Sequence, residues 1–352
     1  MTTPLTVTLA ALAEAAAHPG GVARTPCRHA PETLRVLADR PDGTVVRHGS
    51  LVIKAHAPDT DPQALAVRAA VASHPLLGGV LLPALPAGAD RADGRPLTAW
   101  PYGTPVDPEE PDAAPWEETA ALLARLHRTP VAALPGPLPP MRGPAKAARA
   151  VARMRAATGP QAPGATAPTC PLPPHEPLLP HEPLLSHEPR PPTEAVLRAW
   201  RALPAWARGE APAPVRPAVL CHGDLHLGQL VRYPAPDGPW HLIDIDDLGV
   251  GDPAWDLARP AAWYAAGILE PEVWQRFLAA YRVAGGPAVP AEGDPWPQLD
   301  VAARALTVQT AALALTKSTA EQRPLDEVEQ LMLDSCARIA ALPPELDRRP
   351  SS

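Results

Sequence analysis

Asparagine is absent from this chain of 352 residues, phenylalanine occurs once, and only three lysines stand beside 28 arginines. With 52 prolines, that skew is the composition of a GC-rich genome, and it makes each exception informative. Cysteine is scarce as well. Cys27, Cys170, Cys221 and Cys336 lie far apart and form no CxxC pair, which excludes a disulfide framework and a structural zinc site. No apolar run reaches the roughly 18 residues that a membrane span needs. An excess of basic residues is also missing. A formal net charge of −7 argues against nucleic acid or an anionic membrane surface as partner. The opening stretch MTTPLTVTLAALAEAAAHPGG has no basic region, and Glu14 interrupts its apolar run. It reads as a small helix, not a signal peptide, and the chain is assigned to the cytoplasm.

What is present is a hydrophobic content of 46%, enough for a sizeable core in one large or two modest domains. Residues 32–57 read as strands punctuated by tight turns at Asp42-Gly43 and His48-Gly49. Asp61 as N-cap and Pro62 in the first turn start a helix that runs to about Ser73. GGVLLPAL and LTAWPYGTPV are expected to complete a small sheet near residue 100. From Pro115 the pattern turns helical, with Leu122, Leu123 and Leu126 on one stripe. Three more helices are expected at about 270–284, 300–318 and 325–342, with Leu306, Leu313, Leu315, Val328, Leu331 and Leu333 as core positions. Before these three, at 157–193, PHEPLLPHEPLLSHEPR is a direct hexapeptide repeat in a Pro/Ala-rich stretch. Its His175, His181 and His187 suggest metal binding, but proline at that density favours a disordered surface insert.

Polarity concentrates in VLCHGDLHLGQLVRYPAPDGPWHLIDIDD, residues 219–247. Asp224 lies just beyond a short apolar strand, and Gln229 opens a second strand. A hairpin around Pro236-Asp237-Gly238 then brings WHLID back, so that Asp244 returns beside Gln229. Two carboxylates and an amide oxygen at one hairpin end suit Mg²⁺ better than zinc or calcium. Mg²⁺ with a spare carboxylate is the equipment of phosphoryl transfer to a hydroxyl.

HGDLHLGQL followed by LIDIDDLGVGDPAWDLA resembles the signature of the aminoglycoside phosphotransferase and choline kinase family, small-molecule relatives of protein kinases. TAALLARLHRTP is similar to the helix that follows the hinge there. The resemblance implies an α+β, two-lobed, protein-kinase-like fold, with a small β-rich N-terminal lobe and a larger, mostly helical C-terminal lobe. In this chain the lobes fall at 1–100 and 107–345 around a hinge at 101–106, with the repeat as an insert. It implies ATP and Mg²⁺ as cofactors and a small hydroxyl-bearing molecule as acceptor. Asp224 takes the place of the catalytic-loop aspartate, Gln229 that of a metal-binding asparagine, and Asp244 that of the metal-bridging aspartate. His222 and Asp256 are expected to hold the loop, while His226 is structural or near substrate. The variant HLGQ is similar to maltokinase-like and glucosamine-kinase-like relatives and draws the acceptor toward sugars.

Lys54, in the apolar strand SLVIKAH, is the only lysine among the first 145 residues. In a chain that uses arginine elsewhere, this lysine points to a compact charge on ATP phosphates, against the plainer reading of an edge-strand lysine. The resemblance also implies a glutamate on the next helix and a Gly-rich loop. Neither is present. Between Lys54 and Pro83 the acids are Asp59 and Asp61 alone, and ADRPDGT stands where the loop belongs. Asp246, Asp247, Asp252, Glu270 and Glu272 are candidates for attracting an amino sugar. Aminoglycosides, neutral sugars and amino alcohols all remain open as acceptors. Two alternatives are a catalytically silent nucleotide- or ligand-binding relative, and a metallohydrolase built on His222, Asp224 and His226. The second lacks further ligands near in sequence apart from His241.

Overall fold

A computed structural model describes residues 4–17, 34–40, 42–86, 89–158, 191–214 and 218–342. The hexapeptide repeat, Cys27 and Cys170 lie outside them. The described residues form a β-sheet N-terminal region followed by a helical C-terminal region, in two compact units. One unit gathers residues 1–143, 215–264 and 269–300; the other gathers 144–214, 265–268 and 301–352.

The first unit opens with α1 (Pro4–Ala17), then β1 (Leu34–Arg40), β2 (Gly43–His48) and β3 (Leu51–His56). Helix α2 (Pro62–Ala72) follows, then β4 (Arg91–Ala92) and β5 (Arg95–Pro101). These strands make an antiparallel sheet in the order β1-β2-β3-β5-β4. The turn after β2 is Gly49-Ser50, with Gly49 at a φ of 57°. Alternation along the strands separates two faces. Val46, Leu51, Ile53, Ala55, Leu97 and Ala99 form a core with Leu9 and Ala13 of α1. Lys54 and His56 point the other way, and Lys54 pairs across the ladder with Thr98. Helix α2 begins as its sequence predicts, with the Asp61 carboxylate accepting from the N–H groups of Gln63 and Ala64.

GGVLLPAL does not become a strand of that sheet. Leu85 bridges to Ala99, but Val80 and Leu82 exchange backbone hydrogen bonds with Leu242. Pro83 and Pro86 have no N–H to extend a ladder.

Beyond β6 (Thr104–Pro105) lies α3 (Trp116–Arg128), whose Leu122, Leu123 and Leu126 are buried as expected. Next in the unit come β7 (Val219–Cys221), β8 (Leu230–Arg232), β9 (Trp240–Leu242) and β10 (Gly249–Gly251). They form two small antiparallel sheets, β6-β8-β9 and β7-β10. Helix α7 (Pro271–Val283) packs on α3, with the Phe277 ring edge-on to Trp116 at 6.0 Å.

In the second unit, helices α4 (Gly143–Thr158), α5 (Pro192–Ala202), most of α8 (Trp296–Glu321) and α9 (Glu327–Ala340) supply the core. Helix α5 packs on α9, which starts in a capping box formed by Asp326 and Glu329. Leu306, Leu315 and Leu333 are buried as predicted, whereas Leu313 and Val328 are exposed at 40% and 46%. Alanines between them occupy the buried positions of α8, so the core needs fewer large side chains than the periodicity implied. Among the described residues, no helix is long and apolar enough to cross a membrane.

Candidate active site

The site begins where β7 ends. Gly223 follows with φ at 84°, and a Cβ there would lie 2.4 Å from the Asp247 carbonyl oxygen, so only glycine fits this approach. The loop is held by Asp256, which is 1% exposed. Its carboxylate accepts the N–H of His222 at 2.6 Å, the N–H of Gly223 at 2.7 Å, and the His127 ring nitrogen at 2.9 Å. Burial alone raises this carboxyl's pKa, but the bonds from His127 and Gly223 hold it below the usual range. His127 in turn meets the Tyr281 hydroxyl at 2.7 Å. His222 donates from Nε2 to the Ile243 carbonyl at 2.7 Å, tying the loop to the strand that delivers Asp244.

Asp224 projects from this loop onto Arg259, in α6 (Ala258–Ala266), with Nη2 at 3.1 Å from its carboxylate. Arg259 also donates from Nε to the Leu225 carbonyl at 2.8 Å, so it holds both the loop backbone and its carboxylate. Sequence reading missed Arg259, although its place three residues after Asp256 in DLAR was the available signal. His226 accepts the Gly228 N–H on Nδ1 at 3.0 Å. Burial first, and the Arg259 charge second, push its pKa down to about 4, which leaves the ring neutral near pH 7.

The hairpin of β8 and β9 does what its sequence predicts. Leu230 pairs with Leu242, and the Gln229 amide lies 3.5 Å from Asp244, whose backbone is left-handed at a φ of 65°. Lys54 reaches the same place from β3, with Nζ 2.8 Å from Asp244 and 3.1 Å from Asp246. Burial alone lowers the Lys54 pKa, but these two carboxylates raise it above the ordinary value. Gly43 of ADRPDGT, the first residue of β2, neighbours the same lysine. A Cβ on Gly43 would sit 3.7 Å from Lys54 Cε.

The structure thus gathers Lys54, Gln229 and Asp244. Asp224 stands on the loop after β7, against Arg259. The donor set of Asp244 and Gln229 is all oxygen once the amide turns its carbonyl inward, which fits Mg²⁺.

The alternative histidine cluster does not converge. Among the described residues, the one group of ligand-type side chains close enough to share a metal is His127, Cys221 and Asp256. It is a buried hydrogen-bonded cluster in which His127 spends both ring nitrogens on Tyr281 and Asp256. Of the acidic candidates for a cationic substrate, Glu270 and Glu272 are exposed, whereas Asp246, Asp247 and Asp252 are engaged within the chain. Asp246 takes Lys54 and His56, Asp247 takes Arg142 at 2.7 Å, and Asp252 caps the turn at Ala254.

The model of the phosphotransferase enzyme family matches residues 30–296. The chain belongs to the phosphotransferase enzyme family. This family's fold appears in a choline/ethanolamine kinase family protein from Mesorhizobium loti. It is 17% identical, with a TM-score of 0.53, over 96% of this chain and 94% of that one. Aminoglycoside phosphotransferase APH(4)-Ia, solved as a ternary complex with AMP-PNP and hygromycin B, is 14% identical with a TM-score of 0.51. That match covers 88% of this chain and 94% of that one. A GDP complex of an aminoglycoside 2'-phosphotransferase-IIIa mutant is 14% identical with a TM-score of 0.50, over 95% and 96%. At these identities the likeness is one of fold, and it is the kinase-like α+β layout, a β-sheet N-terminal region and a helical C-terminal region, expected from the motifs. No curated protein matches the sequence.

Proposed function

We propose that this member of the phosphotransferase enzyme family transfers the γ-phosphoryl group of ATP to a hydroxyl of a small molecule. The observation that carries the reading is the meeting of Lys54, Asp244 and Gln229 at one hairpin end, beside the loop that bears Asp224. Lys54 binds α- and β-phosphate oxygens as a point charge. Asp244 and Gln229 hold Mg²⁺, which supplies charge neutralisation for the phosphates when bound. Asp224 orients the acceptor hydroxyl and takes its proton as the new O–P bond forms and the bond to the ADP oxygen breaks. Arg259 positions Asp224 through its hydrogen bond, and His222 and Asp256 hold the loop. Neutral His226 lines the same loop without adding charge.

An ATP-consumption screen tests this over neutral sugars, amino sugars, aminoglycosides and amino alcohols, with MgATP binding measured in parallel. Turnover with at least one hydroxyl acceptor is expected. Tight MgATP binding without turnover on any acceptor would sink the enzymatic reading and leave a nucleotide-binding relative.

A further inference from the structure

Helix α2, the next helix after Lys54, carries no carboxylate at all. Its one buried charged residue is Arg68, turned to the Leu248 carbonyl at 2.7 Å. Lys54 is nonetheless held in place, and the way it is held points elsewhere. Asp246 lies 3.1 Å from its ammonium and is itself gripped by His56 Nδ1 at 2.7 Å. His56 is 1% exposed, and its Nε2 meets the Thr98 hydroxyl at 2.7 Å. The Thr98 oxygen accepts the indole N–H of Trp100 at 2.9 Å. An ionised carboxylate only accepts, so His56 donates from Nδ1 to Asp246, while its Nε2 shares a hydrogen bond with the Thr98 hydroxyl.

The geometry follows from register. Lys54 and His56 are two apart on β3, and Thr98 and Trp100 are two apart on β5, opposite Lys54 and Val52. All four side chains therefore share the sheet face that looks away from α1. The backbone under His56 is fixed as well, since Arg95 donates to the His56 carbonyl at 2.6 Å.

We propose that His56, acting through Asp246, is a positioning residue for Lys54: the sheet itself holds the phosphate-binding lysine, in place of a carboxylate on α2. The inference rests on the reading of Lys54 as the nucleotide-phosphate ligand. Its consequence is that nucleotide affinity depends on the Trp100–Thr98–His56–Asp246 chain and not on the position of α2.

The test is the dissociation constant for Mg-AMP-PNP by calorimetry, with thermal unfolding as a fold check and steady-state KM values for ATP and acceptor. Lys54→Ala is measured first; unchanged nucleotide affinity in it would overturn the Lys54 reading itself. Given a Lys54 effect, His56→Leu is expected to weaken nucleotide binding about tenfold, the scale of one hydrogen bond to a charged group. The acceptor KM should stay put. His56→Gln, which keeps an N–H for Asp246, should recover part of the loss. Thr98→Val, nearly isosteric, should show a smaller loss in the same direction, and it serves if His56→Leu does not fold. His56→Leu combined with Asp246→Asn should be no worse than either alone, because both break one chain. Wild-type nucleotide affinity in folded His56→Leu, or in Thr98→Val where His56→Leu fails to fold, overturns the proposal while the Lys54 reading stands.

Discussion

Asp224 and Arg259 illustrate how a single side chain is held in one orientation. A carboxylate on a loop has several rotamers, and Arg259 selects one by taking the carboxylate and the Leu225 carbonyl together. Asp224→Asn keeps the shape and removes the proton acceptor. Its kcat should fall by roughly 10²–10⁴ while MgATP affinity is nearly unchanged, as stopped-assay kinetics and calorimetry will show. Near wild-type turnover in Asp224→Asn would remove the residue from that role. Arg259→Ala acts through the placement of Asp224 and of the loop backbone that carries it, so a smaller loss is expected, about tenfold. At Gln229 the question is reach. Asn offers the same amide on a stem one methylene shorter, with less rotamer freedom to lose on binding metal. Gln229→Asn should retain a substantial part of the activity and Gln229→Ala very little. Equal turnover of Gln229→Ala and wild type would exclude it as a ligand.

Among the elements, the loop between β7 and β8 is tightly constrained by its surroundings. Its backbone at Gly223 is left-handed and pressed against Asp247, so two penalties meet in any side chain added there. Gly223→Ala should destabilise the fold by about 2 kcal/mol or more, read from the urea midpoint at constant m. A midpoint within error of wild type would show that the loop can relax. Strand alternation and the hairpin were legible in the chain because they depend on nearest neighbours: Lys54 and His56 share a face by period two, and Pro236-Asp237-Gly238 turns β8 into β9. GGVLLPAL shows where such reading ends. Its apolar run is compatible with any sheet edge, and only the assembled β9 offered one to Val80 and Leu82.

For the whole molecule, the perturbed groups predict how stability follows pH. Native His226 has a pKa of about 4, below the usual histidine value, so the unfolded chain binds more protons between about 6.5 and 4. Stability therefore falls as pH drops through that window. Asp246 and Asp256 are also held below the carboxylate range, so their contribution is present above about pH 4 and is lost on further acidification. Thermal unfolding from pH 7 to 4.5 should show a declining Tm in wild type and a flatter one in His226→Gln; parallel curves would exclude His226 as the source. What the sequence determined by itself was the set of candidate groups: Lys54 as a lysine in an arginine-rich chain, and Asp224, Gln229 and Asp244 by their places in a motif that resembles the family's. The strand and helix order followed from local periodicity. Only the tertiary structure decided which charge stands beside which. Arg259 with Asp224, His56 with Asp246 and Lys54 with Asp246 join residues 35, 190 and 192 positions apart, whose pairing depends on how β3, β9 and α6 pack. It also grouped discontinuous stretches into the two compact units, because packing joins surfaces wherever apolar faces match, without regard to order along the chain.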